Sequence, residues 1–500
     1  MQAYAVSYSK YLIAASMLLY TFLAYVALPS GKDVRRTCET LQRLCMAIFT
    51  INAYLTMAIL AGQEDLFTFG LLQLGVTLGT ALLYRTLYKS ANMLMLNNIL
   101  MMLSIGMVMI SRINHGKAQK QLLISLAGIA FLMLFPLLRN RLDSLRKWTY
   151  VYGIIGIAAL GAVLLLGAIT NGSKLSFTIA GLSFQPSEFV KILFILFMAS
   201  ALCEENTTNH IVFLTVAAVV HVGILMLSRD LGSAFIFFVV YLVILFLSTG
   251  EWSYLLGGLL LGAVAAVLCY LLFAHVRVRV QVFLDPWSSI DGGGYQITQS
   301  LFAISFGGLF GAGLMQGMPS SIPFVESDFI FAAIIEEMGI IFGICLILLC
   351  LNIFTDFLLL AGSYSNKFYR LFIFGAAIAF IFQSFLTIGG EVKFIPLTGV
   401  TLPLVSYGGS SVLATLVMFG IVGAIFMLQE ERLERFRMRY EQEHSAPARS
   451  QMYESGPARQ QPYRGSTAGN DNDGDFYKDF KGVPIYDPRK DYEDMNHFDV

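Results

Sequence analysis

The residues best suited to chemistry stand where an apolar chain tolerates them least. Gln185-Pro186-Ser187-Glu188-Phe189-Val190-Lys191 opens an apolar run. Proline suits a first helical turn, and Glu188 and Lys191 at i, i+3 share a face on which ammonium and carboxylate can pair. A structural ion pair closing a helix end explains them equally well. Arg229-Asp230-Leu231-Gly232 reads as a tight turn. Further on, Asp285 and Asp291 flank a stretch that ends in Gly292-Gly293-Gly294, where backbone can approach a ligand closely; turn-forming Asp and Gly account for the same pattern. Arg277 and Arg279 precede this stretch, and Gln296, Gln299 and Ser300 follow it. Asp328 and Glu336, eight positions apart, fall on nearly one face of a helix that also holds Glu337. Acidic groups in a hydrophobic helix should face protein or water, which makes them functional candidates. Lys393 precedes the segment Gly399–Ser411, where Pro403, Ser406, Gly408 and Gly409 break the start of the last apolar run. Irregular backbone at that depth is tolerated only where it is buried in protein or lines a cavity.

These groups need a scaffold, and composition says which kind. Of 500 residues, 56% are hydrophobic and 13% charged, and mean hydropathy is +0.68. The apolar residues come in uncharged runs near the ~20 residues that span a bilayer as a helix. Candidate spans lie near 11–29, 41–62, 65–84, 93–111, 121–138, 149–170, 187–203, 210–228, 232–249, 253–274, 328–351, 370–388 and 405–428. The expected fold is therefore an all-α polytopic membrane protein. The first run is long for a signal peptide and lacks a clear small-x-small cleavage site, so it reads as a retained span. With the C-terminus in the cytoplasm, roughly sixteen loop cations fall inside and roughly nine outside, the expected sign of the bias. The loop 112–120 goes against it. The interruption at 275–327 then faces outward and is too long for a simple connector. Residues 429–443 alternate Glu and Arg at helical spacing, as in a solvated helix extension, and the polar tail beyond is expected to be disordered.

The 33 basic and 33 acidic residues cancel, so no overall field favours nucleic acid. The six cysteines form no CxxC pair, which argues against a zinc site or disulfide framework. No P-loop or complete GxGxxG is present, so no nucleotide site supplies energy.

In their order along the chain, five segments resemble the signatures of the SEDS family (shape, elongation, division and sporulation; the FtsW/RodA/SpoVE type). They are Phe184–Lys191, Asp230-Leu231-Gly232-Ser233, Gly294-Tyr295-Gln296-Ile297-Thr298-Gln299-Ser300, Ser327-Asp328-Phe329-Ile330-Phe331-Ala332 and Pro403–Ser411. Singly each is weak; five in order are strong. The resemblance covers roughly 93–428, a ten-helix core with the large outer loop 275–327, preceded by about three additional helices in 1–92 and followed by 429–500. It implies a peptidoglycan glycosyltransferase that polymerises lipid II into glycan strands at the outer face of the cytoplasmic membrane. A carboxylate would take the proton from the acceptor hydroxyl. Cations, with Arg277, Arg279, Lys174, Lys191 and Lys393 as candidates, would stabilise the departing polyprenyl pyrophosphate. Glu188, Asp328, Gln296, Gln299, Ser300, Ser406, Gly408 and Gly409 would bind substrate. A divalent cation, Mg2+ or Mn2+, is allowed but not required, and the implied partner is a class B penicillin-binding transpeptidase.

Two departures stand out. Counting back from Tyr295-Gln296, the family's essential loop aspartate falls on Ser289. Asp291, two residues on, is the expected substitute, with Asp285 four before as the other choice. The histidine frequent before the Ser/Thr-Asp-Phe motif is Glu326. A lipid flippase and a catalytically impaired scaffold are the alternative readings; Ser289 is the best support for the scaffold.

Overall fold

The structure, a computed structural model, describes residues 2–170, 173–179, 182–204 and 207–445. Residues 1–436 form one compact unit. Its helices are α1 (Gln2–Ala27), α2 (Lys32–Ala61), α3 (Glu64–Leu87), α4 (Met93–Ile113), α5 (His115–Leu134), α6 (Thr149–Leu166), α7 (Pro186–Leu202), α8 (Thr208–Leu227), α9 (Leu231–Thr249) and α10 (Trp252–Leu272). Then come α11 (Ala274–Leu284), α12 (Tyr295–Gly307), α13 (Val325–Asp328), α14 (Ile330–Met338), α15 (Ile340–Gly362), α16 (Lys367–Glu391) and α17 (Gly409–Ser445). Backbone groups in lipid must bond within their own segment, and long helices do that. Among the described residues, eleven helical stretches are long and apolar enough to cross a membrane, one of them the continuous run His115–Leu166. Opened at its 3-10 stretch Phe135–Trp148, that run supplies α5 and α6. With the 17-residue α7, the long helices answer one for one to the expected spans.

Two boundaries differ from expectation. The run at 149–170 stops at Leu166 and continues into an antiparallel sheet, β1 (Ala168–Thr170), β2 (Ser173–Ile179) and β3 (Leu182–Phe184). The run at 328–351 is not one span. Phe329 leaves helical geometry (φ −135°, ψ 27°), so Asp328 ends α13 and Glu336 lies on α14; the two do not share a helix. Gly339 breaks the chain again at φ +92°, and a Cβ there would lie 2.4 Å from Gly311 N and Leu309 O, so only glycine fits. Glu391 at the end of α16 accepts from Ala332 N, and Arg112 at the end of α4 bonds Glu337. Both ends of α14 therefore lie at the same end of the bundle. It is a short helix buried at that end of the bundle, and the long helix begins at Ile340.

The additional helices are built into the core. Every residue of α4 from Met93 to Ser111 is buried. Its polar side chains are met from the N-terminal helices: Tyr20 donates to Asn98 at 3.1 Å, Asn97 to Gln42 at 3.0 Å, and Arg35 to Asn92 at 2.6 Å. Asn98 and Asn92 reach on to Asn352 and Asp356 of α15 at 2.8 and 2.7 Å. In lipid such bonds hold helices together where no hydrophobic force does. On its other side α4 meets the broken segment before α17. A Cβ on Gly106 would come within 2.3 Å of Val405 O. Gly106→Val is expected to push residues 402–406 off the helix and cost about 1–3 kcal/mol. A lowered thermal midpoint in detergent checks it; an unchanged midpoint contradicts the close approach.

Candidate active site

One end of the bundle gathers the polar groups of six separate segments. Asp230 caps α9 by accepting from Ser233 N at 3.1 Å, as short acidic residues do at helix starts. The same carboxylate accepts from Ser187 Oγ at 3.2 Å and Gln185 Nε2 at 3.4 Å, both at the start of α7. One turn into α7, Lys191 donates to Glu188 at 2.7 Å and to Gln383 of α16 at 2.5 Å. Gln383 in turn donates to Thr401 O at 3.0 Å and to Ser411 Oγ at 3.3 Å. The cluster thus ties α7, α9, α16 and α17 together.

Arg279 enters from α11 and donates to Thr398 O at 3.1 Å. Its guanidinium interacts with Asp230 and Asp328 together, and Gly399 leaves room beside it: a Cβ there would lie 4.0 Å from both Arg279 Nη2 and Asp328 Oδ2. Burial pushes the carboxyls of Asp230 and Asp328 above the usual carboxylate range, opposed by hydrogen bonds from Ser233 and Ser327 and, at Asp328, by Arg279. Burial likewise lowers Arg279, with both carboxylates opposing, but a guanidinium stays charged in proteins. A guanidinium within electrostatic reach of two carboxylates that hold protons more readily than usual is suited to an anionic ligand and a moving proton.

The Glu188–Lys191 pair is buried on both sides, with side-chain exposures of 9% and 6%. Lys191→Met leaves the Glu188 charge unpaired, and the expected loss is about 3–5 kcal/mol. The double variant Glu188→Gln/Lys191→Met should recover most of it, read as the thermal midpoint. Equal midpoints for the single and double variants would contradict the pairing.

The other sequence candidates are distributed unevenly. Asp285 is exposed and caps the turn at Trp287–Ser289, its Oδ1 accepting from Trp287 N at 3.1 Å and Ser288 N at 3.3 Å. Asp291 is exposed and forms no side-chain hydrogen bond or ion pair among the described residues. Ser289 turns inward; its buried hydroxyl is unpartnered while its carbonyl accepts from Gly292 N and Gly294 N at 2.9 Å. Arg277 is exposed, and Lys393 is half-buried in a left-handed turn at φ 56°. Gln296 and Gln299 are half-buried on α12, and Ser300 donates to Glu391 O at 2.9 Å. Ser406 is buried and holds its own loop by accepting from Leu402 N at 2.9 Å. Gly408 and Gly409 pack on Thr401 and Ile124. Lys174 lies on β2.

Glu336 and Glu337 hold the segment 315–318 and the end of α4. Glu337 accepts from Arg112, Met315 N and Gly317 N, and Glu336 from Met318 N. Gln383 and the fully buried Glu391 were not among the candidates. Both are polar interruptions of an apolar run, a signal that could have found them. The expected disordered tail from 446 on lies outside the described residues. No three His, Cys, Asp or Glu side chains gather as metal ligands among the described residues, and the two carboxylates Asp230 and Asp328 stand within the field of a guanidinium, a donor set that does not fit a resident metal ion.

A bundle of apolar helices with an acid–base cluster at one end defines a multi-pass membrane protein with a site near the membrane surface. The profile of the FtsW/RodA/SpoVE proteins, described as cell cycle protein, matches residues 84–431, and the chain belongs to this family. It is 32% identical over 437 residues to the peptidoglycan glycosyltransferase RodA of Mycobacterium tuberculosis, covering 80% of this chain and 92% of that one. Against the probable peptidoglycan glycosyltransferase FtsW of Aliivibrio salmonicida, identity is also 32%, over 294 residues, 55% of this chain and 72% of that one. Among solved structures, a chain from a peptidoglycan synthase complex described as coordinating polymerization and crosslinking superposes at TM-score 0.59 with 26% identity, covering 67% of this chain and 97% of that one. The rod shape determining protein RodA of Thermus thermophilus gives 0.51 at 24% identity over 67% of this chain and 96% of that one, a likeness of fold.

Proposed function

We propose that this chain is a peptidoglycan glycosyltransferase that polymerises lipid II into glycan strands at the outer face of the cytoplasmic membrane. The observation that carries the reading is the Arg279 guanidinium, which donates to Thr398 O at 3.1 Å and interacts electrostatically with Asp230 and Asp328, beside Gly399, whose Cβ position would lie 4.0 Å from Arg279 Nη2 and Asp328 Oδ2. A polyprenyl pyrophosphate leaves with two phosphates' worth of negative charge, and a preorganised guanidinium stabilises that charge as it develops. Lys393 on the turn after α16 is the second cation for the same group. The acceptor sugar hydroxyl attacks the anomeric carbon of the donor; the new glycosidic bond forms as the bond to pyrophosphate breaks. A carboxylate takes the hydroxyl proton. Asp291 is the base in this reading, because Asp285 is engaged in capping its turn while Asp291 is uncommitted. The energy comes with the donor's own pyrophosphate. A divalent cation would arrive on the substrate's phosphates, and no step is assigned to it.

The longer match to RodA than to FtsW supports an elongation role over a division role. The likeness to a synthase-complex chain supports a class B penicillin-binding transpeptidase as partner. The cation bias supports a cytoplasmic C-terminus. Purified protein in liposomes, given labelled lipid II without nucleotide, should produce glycan ladders. Lipid II that crosses the bilayer unchanged would make the chain a flippase. Lipid II left untouched under conditions where the partner complex still assembles would make it the scaffold that Ser289 suggests.

A further inference from the structure

We infer that Lys117 and Glu326 form a latch through which the start of α5 sets the position of Asp328, which makes both of them positioning residues for glycosyl transfer. The inference rests on the polymerase reading. Lys117 is in an unfavourable place twice over. It belongs to the outer loop 112–120 that runs against the cation bias, and it stands in the first turn of α5, where the helix dipole disfavours a cation. Arg112 in the same loop is accounted for by Glu337 at 2.9 Å. The partner of Lys117 is Glu326, the residue at which this chain departs from the histidine of its family signature.

Glu326 is held from two sides. Its carboxylate pairs with Lys117, and its carbonyl accepts from Tyr407 N at 2.7 Å. The Lys117 ammonium also lies 5.6 Å from the centre of the Tyr407 ring. Asp328 follows two residues later on the four-residue α13, where its N–H bonds Phe324 O at 2.9 Å. Phe324, which opens this turn, is left-handed at φ 59°, a strained state for a residue with a Cβ. Such a state persists only where the surroundings over-determine it. The contacts on Glu326 are those surroundings. The ion pair is part-exposed, with side-chain exposures of 38% and 16%, so it contributes little to stability. Its effect is geometric, since misplacing a reacting group by about 1 Å can slow a reaction by about 100-fold.

The test uses full-length protein turning over labelled lipid II. Lys117→Met and Glu326→Gln should each lower kcat about tenfold or more with thermal midpoint and KM near those of the parent. The exchanged pair Lys117→Glu/Glu326→Lys should recover most of that loss, and Lys120→Met, an exposed cation on the same loop, should change nothing. Single variants with parental kcat, an exchanged pair no faster than the singles, or single variants that no longer fold would each overturn the latch. Hydrogen exchange reads it without turnover: amides of residues 325–328 and 402–409 should exchange faster in Glu326→Gln. Unchanged exchange also overturns the latch. An inactive parent with faster exchange in the variant supports the latch and instead removes the polymerase reading.

Discussion

Arg279→Met should slow glycan synthesis by roughly 10²–10³-fold while lipid II still binds, because the guanidinium acts on charge that appears only as the pyrophosphate leaves. The substitution also strips two carboxylates of their shared cation, so the fold will lose some stability, and a fall in rate alone would be ambiguous. Arg279→Lys separates the effects. It keeps a charge within reach of Asp230 and Asp328 but loses the fork that bonds Thr398 O. Its rate should fall between parent and Arg279→Met at a nearly parental thermal midpoint. The acid side of the pH profile gives a second reading. Burial raises Asp328, so as pH falls through that raised value its carboxyl takes a proton and its pairing with Arg279 is lost. Turnover should decline there, and Asp328→Asn should erase that limb. Stability should run the other way. The folded state holds this proton more tightly than the unfolded one, so the contribution of Asp328 falls as pH rises between the two pKa values. Parallel trends in rate and stability would contradict the assignment.

Asp291→Asn is expected to slow polymerisation by roughly 10²–10⁴-fold, the range for losing a general base, with KM and thermal midpoint little changed. The isosteric amide keeps the loop's shape and removes only proton affinity, and among the described residues Asp291 has no side-chain partner whose loss could unfold the loop. Asp285→Asn should cost less than about tenfold, because an asparagine oxygen caps the Trp287–Ser289 turn as an aspartate does. Rates near parental for Asp291→Asn, with Asp328→Asn inactive, would move the base from the loop to the buried cluster. Ser289→Asp is the complementary variant: it introduces a carboxylate at the position the family signature would give it, in place of the unpartnered Ser289 hydroxyl.

What could be read from the sequence was whatever is written contiguously. Apolar runs fixed the number of long helices, and the motifs around Glu188, Asp230, Gly294, Asp328 and Pro403 each opened or closed an element. Three things were not legible. The first is long-range pairing: Lys191 meets Gln383, and Arg279 meets Thr398, across separations of 192 and 119 residues that no local spacing encodes. The second is where a continuous apolar run breaks. Gly339 looks like any glycine in a helix until Gly311 and Leu309 crowd the space its side chain would need. The third is the purpose of the misplaced cations at 112–120, which became intelligible once Glu337 and Glu326 were found beside them. The β1–β3 sheet is a milder case. Leu175, Phe177 and Ile179 alternate with polar residues at the two-residue period of a strand, but the run was short and adjoined a span.

The reading depends on the cluster and loop 285–296 facing away from the cytoplasm, where lipid-linked disaccharide can reach them. Ser288→Cys places an exposed thiol on that loop; it replaces the hydroxyl that donates to Asp285 O at 3.0 Å and leaves the side chains of Asp285, Asp291 and Arg279 in place. A membrane-impermeant maleimide added to intact cells, with the outer wall opened, should label this variant fully, and permeabilising the membrane should add nothing. Labelling that requires permeabilisation would put Asp291 and its neighbours on the cytosolic side and contradict glycan synthesis at the outer face.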